Sequence, residues 1–170
     1  MRIAIFGTHN VGKTTLVEEL LKHLPEYAFE PEPYRQLEAS GYEFSEKPSV
    51  EDLIEQFNFS AKRIPKSEDD VLFDRCVLDI LAYIHVLDPR KNIESLFQTV
   101  QSLITEIDLF VFVPIENPDM ITGHQTDLPK LRSRVNDLLI EWIDDLGIEV
   151  IQVRGTLSNR RNQVLAGIST

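Results

Sequence analysis

The sequence is poor in cysteine and in positive charge, and both shortages limit what the chain can do. Cys76 is the sole cysteine, so no internal disulfide and no cluster of thiolate ligands can form. We expect it to be a core thiol. Lysine and arginine number 17 against 28 acidic residues, which gives a net charge of −11. A surface that follows a nucleic-acid backbone needs the opposite balance, so we expect no nucleic-acid partner.

Long apolar runs and low-complexity tracts are also missing. The opening segment MRIAIFG is too short for a signal peptide or a membrane span before turn residues begin. With 42% hydrophobic and 26% charged residues among 170, the composition is that of a folded globular protein. We therefore expect one cytoplasmic domain over residues 1–170, a monomer or homodimer, with no membrane partner.

Short apolar segments alternate with helical patterns along the chain. The apolar segments predict strands at 2–6, 28–30, 71–73, 109–113 and 149–153. Helices are predicted after Gly12, at 50–64 behind a Ser49 cap, at 76–87, and across 93–107 and 131–146. Such alternation implies parallel strands joined by right-handed crossovers, so we expect a three-layer α/β sandwich with a mainly parallel sheet of about five strands.

A phosphate-binding pattern follows the first predicted strand. Residues 7–14 read GTHNVGKT and match G-x-x-x-x-G-K-[ST]. In such a loop the glycines let consecutive backbone N–H groups face phosphate oxygens at the start of a helix. We predict that the loop binds the triphosphate of ATP or GTP. Its predicted nucleotide-binding residues are Gly7, Thr8, His9, Asn10, Val11, Gly12, Lys13, Thr14 and Thr15.

The loop's polar side chains have separate expected roles. Lys13 is expected to reach the β- and γ-phosphates and to neutralise charge that develops during phosphoryl transfer. The Thr14 hydroxyl is expected to ligate a Mg²⁺ ion that bridges the same phosphates. Thr15 is expected to contact the α-phosphate.

Charged residues end the second and third predicted strands, at the sheet edge where the P-loop should lie. A carboxylate there can deprotonate an acceptor hydroxyl or hold the magnesium shell, and an arginine can bind an acceptor phosphate or carboxylate. We predict Glu32 and Asp74 as catalytic residues, with Asp74 also on the metal, and Arg35 and Arg75 as acceptor-binding residues. Ordinary ion pairs at the strand ends are the alternative.

Residues 115–134 have the composition of a flexible lid, because they combine turn residues with few apolar ones. Lys130, Arg132 and Arg134 surround the start of the next helix. An arginine brought in by lid closure can stabilise the transferring phosphoryl group. Since Arg132 and Arg134 point in different directions, we expect only one of these arginines to reach a phosphate. A solvated helix face is the alternative.

Later motifs follow the P-loop in a characteristic order. They are the E-x-x-R of Glu32 and Arg35, the D-R of Asp74 and Arg75, the D-x-x-A-Y from Asp79 to Tyr83, an arginine at Arg132, and G followed by R at Gly155 and Arg160. In this order the chain resembles the P-loop nucleoside and nucleotide kinases, most closely the AAA-labelled ATPase family related to the NadR kinase domain. The resemblance implies a kinase-like P-loop sandwich using ATP and Mg²⁺. It also implies that Arg132 is the catalytic arginine of the lid, and it places the loop after the last strand, with Arg160, near the nucleotide base.

Two main functions stay open at this level. An ATP-dependent kinase acting on a nucleoside, nucleotide or related small acceptor is favoured by the charged strand ends and the basic lid. A regulatory NTPase or nucleotide-sensing module would need no acceptor. A P-loop that binds without turnover is a third reading. The sequence lacks N-K-x-D, L-S-G-G-Q and an Asp-Glu pair after a strand, which disfavours Ras-like switches, transporters and motors.

Overall fold

The computed structural model describes residues 1–119 and 128–168. The strands are β1 Arg2–Phe6, β2 Ala28–Glu30, β3 Val71–Asp74, β4 Leu109–Phe112 and β5 Val150–Gln152. The helices are α1 Lys13–Leu21, α2 Pro33–Ala39, α3 Val50–Arg63, α4 Val77–Leu87, α5 Glu94–Leu103, α6 Pro129–Asp145 and α7 Leu157–Ile168. None of the described helices is long and apolar enough to cross a membrane.

The five strands form one sheet in the order β2-β3-β1-β4-β5, and every neighbouring pair is parallel. The predicted α/β sandwich is confirmed. The central strand β1 explains the layering, because alternate side chains of a strand point to opposite faces. Ala4 and Phe6 pack in a core with residues of α3, α4 and α6, whereas Ile3 and Ile5 pack with residues of α1 and α7.

This strand order places the P-loop at the middle of the sheet. Strand β1 lies between β3 and β4. After β1 the chain forms β2 and β3 on one side of it, and then crosses to form β4 and β5 on the other side. In open parallel sheets ligands bind at the carboxyl edge beside such a switch point. The ends of β1, β3 and β4 therefore meet where the predicted site residues cluster.

Two helices were not foreseen from the sequence. Helix α2 begins directly after β2, so Glu32 is its N-cap residue and Pro33 its first helical residue. Helix α7 is short of apolar residues and its amphipathic pattern is weak. The Ser49 cap of α3 is confirmed, because the Ser49 hydroxyl accepts a hydrogen bond from the Asp52 amide at 3.1 Å.

The predicted lid falls partly outside the described residues. Of the segment 115–134, residues 120–127 are not described, and the remainder forms the loop after β4 and the first turn of α6. Cys76 caps the start of α4 and is buried, and this burial raises the pKa of its thiol to about 12. It is the core thiol expected from the sequence.

Candidate nucleotide and acceptor site

The P-loop follows a path that few residues can adopt. Gly7 has a φ of +146°, and a Cβ atom there would lie 2.4 Å from the carbonyl oxygen of Val113. Gly12 precedes α1 with a φ of +87°. Asn10 also lies in the left-handed region, with a φ of +54°, which asparagine tolerates better than most side chains. The loop therefore curves tightly between β1 and α1.

Lys13 and Thr14 start α1 beneath this curve. Lys13 is 6% exposed and its Nζ donates a hydrogen bond to the Thr8 carbonyl oxygen at 2.7 Å. Burial lowers the pKa of Lys13, and the charge of Asp79 opposes this shift. The Thr14 hydroxyl donates to Oδ2 of Asp74 at 2.6 Å. The Lys13 ammonium group, predicted to bind phosphate, and the Thr14 hydroxyl, predicted to bind Mg²⁺, thus both belong to the first residues of α1.

Asp74 ends β3 with only half of its carboxylate in use. Its Oδ1 is buried and has no hydrogen-bond partner among the described residues. Burial raises the pKa of Asp74, against the hydrogen bond from Thr14. Orphaned carboxylate oxygens of this kind suit a hard cation or its bound water.

Helix α4 holds the P-loop from one side. The fully buried Asp79 accepts hydrogen bonds from the Gly7 amide at 3.3 Å and the Cys76 amide at 3.2 Å. One turn later, the Tyr83 hydroxyl accepts from the His9 amide at 2.7 Å and also contacts the His9 ring at 2.6 Å. Both the backbone and the ring of His9 are therefore attached to α4 through Tyr83.

Asp79 carries a buried charge that is only partly compensated. Its nearest cation is Arg75, whose Nε lies 3.5 Å from Oδ1, an ion pair too long for a well-formed hydrogen bond. Burial raises the pKa of Asp79 from 3.8 to about 6, against the charges of Arg75 and Lys13. Asp79 and Tyr83 occur in the D-x-x-A-Y motif, but the sequence alone assigns them no role.

Two arginines hold the P-loop from the other side. Arg132 donates from Nε to the His9 carbonyl at 2.9 Å and from Nη2 to the Asn10 carbonyl at 3.1 Å. Arg160 donates from Nη1 to the Val11 carbonyl at 2.7 Å. The arginines thus bind three carbonyl oxygens of the loop, and α4 binds the amides of Gly7 and His9, so a phosphate would face the other N–H groups of the loop.

A cavity of about 210 Å³ adjoins these arginines. Residues from the P-loop, the loop after β4, α6 and the β5–α7 connection line it, among them Val11, Glu116, Asp119, Arg132, Gly155 and Arg160. Glu116 accepts hydrogen bonds from the Gly155 amide at 2.9 Å and from Arg160 at 2.6 Å. Arg132 forms an ion pair with Asp119 at 2.7 Å.

A second cavity, of about 350 Å³, opens on the α4 side of the P-loop. Its lining includes His9, Glu32, Phe44, Gln56, Arg75 and Tyr83. Burial raises the pKa of Asp74 and the charge of Glu32 adds to this rise, whereas burial lowers the pKa of Lys13 and the charge of Glu32 opposes that shift. The P-loop therefore lies between two cavities.

The structure does not bring every predicted site residue together. Arg35 is exposed and is not among the described residues that line the second cavity. Within the described part of the chain, neither Glu32 with Arg35 nor Asp74 with Arg75 forms an ion pair, because Arg75 faces Asp79 instead.

The basic residues at the start of α6 divide as their spacing predicts. Arg132 is 5% exposed and lies against the P-loop, whereas Lys130 and Arg134 are on the solvent side. In the described structure the Arg132 guanidinium is bound to the loop backbone rather than standing apart from it. Thr15 is exposed.

A parallel sheet of this order, with the P-loop after its central strand, defines a P-loop NTPase fold of the kind found in nucleoside, nucleotide and shikimate kinases. Residues 2–160 match the family model described as an AAA domain, and the chain belongs to that family. No curated protein matches the sequence.

Solved structures agree on the fold. The deoxyadenosine kinase of M. mycoides with bound dATP superposes with a TM-score of 0.70 at 16% identity, over 100% of both chains. Thymidylate kinase from Ehrlichia chaffeensis gives 0.71 at 14% identity, over 99% of this chain and 98% of the other. NadR in complex with NAD and AMP-PNP gives 0.72 at 18% identity over 99% of this chain, which spans about half (49%) of the NadR chain.

Proposed function

We propose that the protein is an ATP-dependent kinase that transfers the γ-phosphate to a hydroxyl group of a nucleoside, nucleotide or related small acceptor. The observation that carries the proposal is the 350 Å³ cavity beside the P-loop, whose lining includes Glu32. A P-loop protein that only hydrolyses ATP needs no such room next to the γ-phosphate. Solved kinases of the same fold support this reading.

The nucleotide would occupy the P-loop and the smaller cavity. Its phosphates would lie against the P-loop N–H groups that α4 does not bind, with Lys13 on the β- and γ-phosphates. The base would enter the 210 Å³ cavity between Arg132 and the β5–α7 connection that carries Gly155. In this proposal Arg132 and Arg160 hold the P-loop in position through their hydrogen bonds to its carbonyl oxygens. Arg132 would also lie beside both the phosphates and the base.

A magnesium ion fits the residues at the start of α1. The Thr14 hydroxyl and the Asp74 carboxylate would hold it, with Asp74 acting directly or through a bound water, and phosphate oxygens and water would complete the shell. When bound, the ion neutralises charge on the phosphate oxygens. Among the described residues no group of three or more histidine, cysteine or acidic side chains could hold a metal by itself.

The acceptor would enter the larger cavity with its hydroxyl toward Glu32. The hydroxyl oxygen forms the new bond to the γ-phosphorus, its proton passes to the Glu32 carboxylate, and the bond to the β-phosphate oxygen breaks as ADP leaves. Glu32 suits the base role better than Asp74, because Glu32 lines the acceptor cavity and Asp74 is bound to Thr14.

Acceptor-dependent ADP release tests the proposal. ATP consumption is measured with nucleosides, nucleotides and ribosyl-pyridines for the wild type and for Lys13→Ala, Glu32→Gln and Asp74→Asn. We expect an acceptor to raise the rate, and Glu32→Gln to lower the acceptor-dependent kcat by about 100-fold or more. Lys13→Ala should lower it by a similar factor.

The control is Glu26→Gln, which should behave as the wild type, because Glu26 is exposed between α1 and β2 and is not among the described residues that line either cavity. If ADP appears at one rate with every acceptor and with none, and Glu32→Gln changes nothing, the regulatory NTPase is the better account. If no nucleotide binds, both accounts are wrong.

A further inference from the structure

Glu116, in the loop after β4, holds together the parts of the chain that border the smaller cavity of about 210 Å³. Its Oε1 accepts hydrogen bonds from the Gly155 amide at 2.9 Å and from Nη2 of Arg160 at 2.6 Å. Gly155 has a φ of +88°, so the β5–α7 connection turns at this glycine. The Glu116 carboxylate therefore attaches both the connection and the start of α7 to the loop after β4.

The two arginines at this cavity are already bound to protein oxygens. Arg160 donates from Nε to the Gly155 carbonyl at 3.1 Å and from Nη1 to the Val11 carbonyl at 2.7 Å, in addition to its bond from Nη2. Arg132 donates to two P-loop carbonyls and forms an ion pair with Asp119 at 2.7 Å. Both guanidinium groups are thus fixed in place by the protein itself.

The second carboxylate oxygen of Glu116 is available to a ligand. Within the described residues, Oε2 forms no hydrogen bond or ion pair, whereas Oε1 accepts two hydrogen bonds. Oε2 is not among the buried atoms that lack a partner, so a molecule in the cavity can reach it. Because a carboxylate oxygen can only accept hydrogen bonds, the cavity presents one free acceptor at this position.

Purine bases differ in what they would offer to such an oxygen. Adenine carries an amino group on C6, which donates a hydrogen bond, whereas guanine carries a carbonyl oxygen there. A carboxylate oxygen attracts the first group and repels the second. Guanine could offer its N1–H and N2–H pair instead, but that pair needs both oxygens of a carboxylate, and Oε1 of Glu116 already has two donors. A single free acceptor therefore favours adenine.

We infer that Glu116 selects the nucleotide base: its Oε2 accepts a hydrogen bond from the amino group of adenine while its Oε1 anchors Arg160 and the β5–α7 connection. The inference rests on the proposed function, which places the base in the smaller cavity, and it adds the residue that makes ATP a better donor than GTP. Since Arg160 also binds the Val11 carbonyl, the same carboxylate links the base site to the P-loop.

A series of triphosphates tests the contact in the wild type. Calorimetry with Mg²⁺ and no acceptor gives the Kd of ATP, of purine riboside triphosphate, which lacks the amino group, and of ITP and GTP, which carry the carbonyl oxygen. We expect loss of the amino group to weaken binding about tenfold, and the carbonyl oxygen to weaken it about 100-fold. Equal Kd values for ATP and GTP would overturn the inference.

Binding is measured without transfer, so the inference and the kinase proposal can fail separately. A protein that binds ATP selectively but phosphorylates no acceptor would contradict the kinase and leave the role of Glu116 supported. A kinase that uses ATP and GTP equally would contradict the role of Glu116 alone. If no triphosphate binds, both are wrong.

Glu116→Gln tests the same contact from the protein side. Glutamine keeps one acceptor oxygen for Arg160 and replaces the other oxygen by an NH₂ group, which donates. The ratio of the Kd for GTP to that for ATP should fall by about tenfold or more, with ITP following GTP. A residue that only holds Arg160 would weaken all four triphosphates by one factor, and that result would overturn the inference.

Glu149→Gln is the matched control. Glu149 is exposed just before β5 and is not among the described residues that line the smaller cavity, so its variant should keep the wild-type ranking. An equal shift in both variants would show that net charge, rather than the contact with Oε2, sets the ranking. If Glu116→Gln does not fold, the wild-type series decides the inference by itself.

Discussion

Gly7 begins the P-loop, and its backbone geometry leaves no freedom for another residue type. Its φ of +146° and the nearby Val113 carbonyl leave no room for a side chain. Since the Gly7 amide also donates to Asp79, a shift of this peptide would move the start of the P-loop. The sequence pattern predicts a glycine here for the same physical reason, close backbone approach.

Replacing Gly7 by alanine should therefore cost both stability and nucleotide binding. We expect Gly7→Ala to lower the free energy of unfolding by about 2 kcal/mol or more, because the clash is with backbone and cannot be relieved by a side-chain rotation. Urea denaturation measures this change, and titration with an ATP analogue measures the loss of affinity.

Gly41→Ala separates strain from collision. Gly41 has a φ of +95° but has no atom within 4 Å of an added Cβ, so its alanine variant should cost about 1 kcal/mol and leave nucleotide affinity unchanged. Similar losses in the two variants would show that the close approach to Val113 is unimportant.

Asp79 gives a pH-dependent prediction with a definite sign. Its pKa is about 6 in the folded protein against an ordinary 3.8, so the folded state holds this proton more tightly than the unfolded state. The contribution of Asp79 to stability is therefore present below pH 4 and is lost as the pH rises through 6.

Asp79→Asn removes that titration. Asparagine has one acceptor oxygen for the two amides that Asp79 binds, so the variant starts less stable at pH 4. Between pH 4 and pH 6.5 its stability relative to the wild type should then rise by up to about 3 kcal/mol, because the partly compensated buried charge is gone. Denaturant midpoints across this range give the measurement. A variant that instead loses stability relative to the wild type as the pH rises would show that the ion pair with Arg75 outweighs the cost of burial.

A site residue could be predicted from the sequence when its interactions are with residues close to it in the chain or in a known motif. The P-loop, Thr14 beside Asp74, and a single inward arginine at Arg132 follow from short motifs and helical spacing. The positions of Gln56 and Asp52 in the lining of the larger cavity were not predicted, because they depend on the segment around residues 42–46 packing against α3. A polar residue at a buried helix position is the only signal for Gln56, and the sequence does not show which face of α3 is buried against a cavity.

At the scale of elements, α4 and α6 hold the P-loop from opposite sides. α4 uses the carboxylate of Asp79 and the hydroxyl of Tyr83 to bind loop amides, and α6 uses Arg132 to bind loop carbonyls. The loop is thereby fixed before a nucleotide arrives. The remaining N–H groups of a loop held in this way can stabilise charge without having to reorient during the reaction.

Removing the α6 contact should weaken catalysis more than folding. We expect Arg132→Ala to lower kcat/KM for ATP by about 100-fold, because two loop carbonyls lose their donors and the cradle loses its set position. Steady-state kinetics at saturating acceptor measure this effect. Arg132→Lys should restore little, since a single ammonium group lacks the planar fork that spans both carbonyls.

Arg134→Ala is the matched control for α6. Arg134 lies two residues further on and is exposed, so its removal should change the unfolding free energy by less than about 0.5 kcal/mol and leave kinetics unaltered. Equal losses for the two arginines would mean that the charge of the helix, rather than the contacts of Arg132, matters.

Helices and strands were predictable where their patterns were long or strongly apolar. The five strands and the helices around 50–63, 77–87 and 129–145 follow from periodicity and caps. Helix α2 has only about two turns and follows β2 directly, so in the sequence its residues resemble the end of that strand. Helix α7 is mostly polar, and its apolar face is too weak to be recognised. Their positions are set by packing on the sheet, which no local pattern contains.

For the whole molecule, the central point is that the P-loop lies between two cavities of different character. The smaller one, about 210 Å³, is lined by arginines that pair with Glu116 and Asp119. The larger one, about 350 Å³, is acidic and aromatic. In our proposal the smaller cavity holds the nucleotide base and the larger one the acceptor, so that the two substrates would meet at the γ-phosphate.

The fate of the γ-phosphate tests this account most directly. The protein is incubated with ATP labelled in the γ-phosphate, Mg²⁺ and each of a set of nucleosides, nucleotides and ribosyl-pyridines, and the products are separated. We predict that the label appears on the acceptor, and that this transfer is lost in Glu32→Gln. Label found only in inorganic phosphate, at a rate independent of the acceptor and of Glu32, would contradict the account.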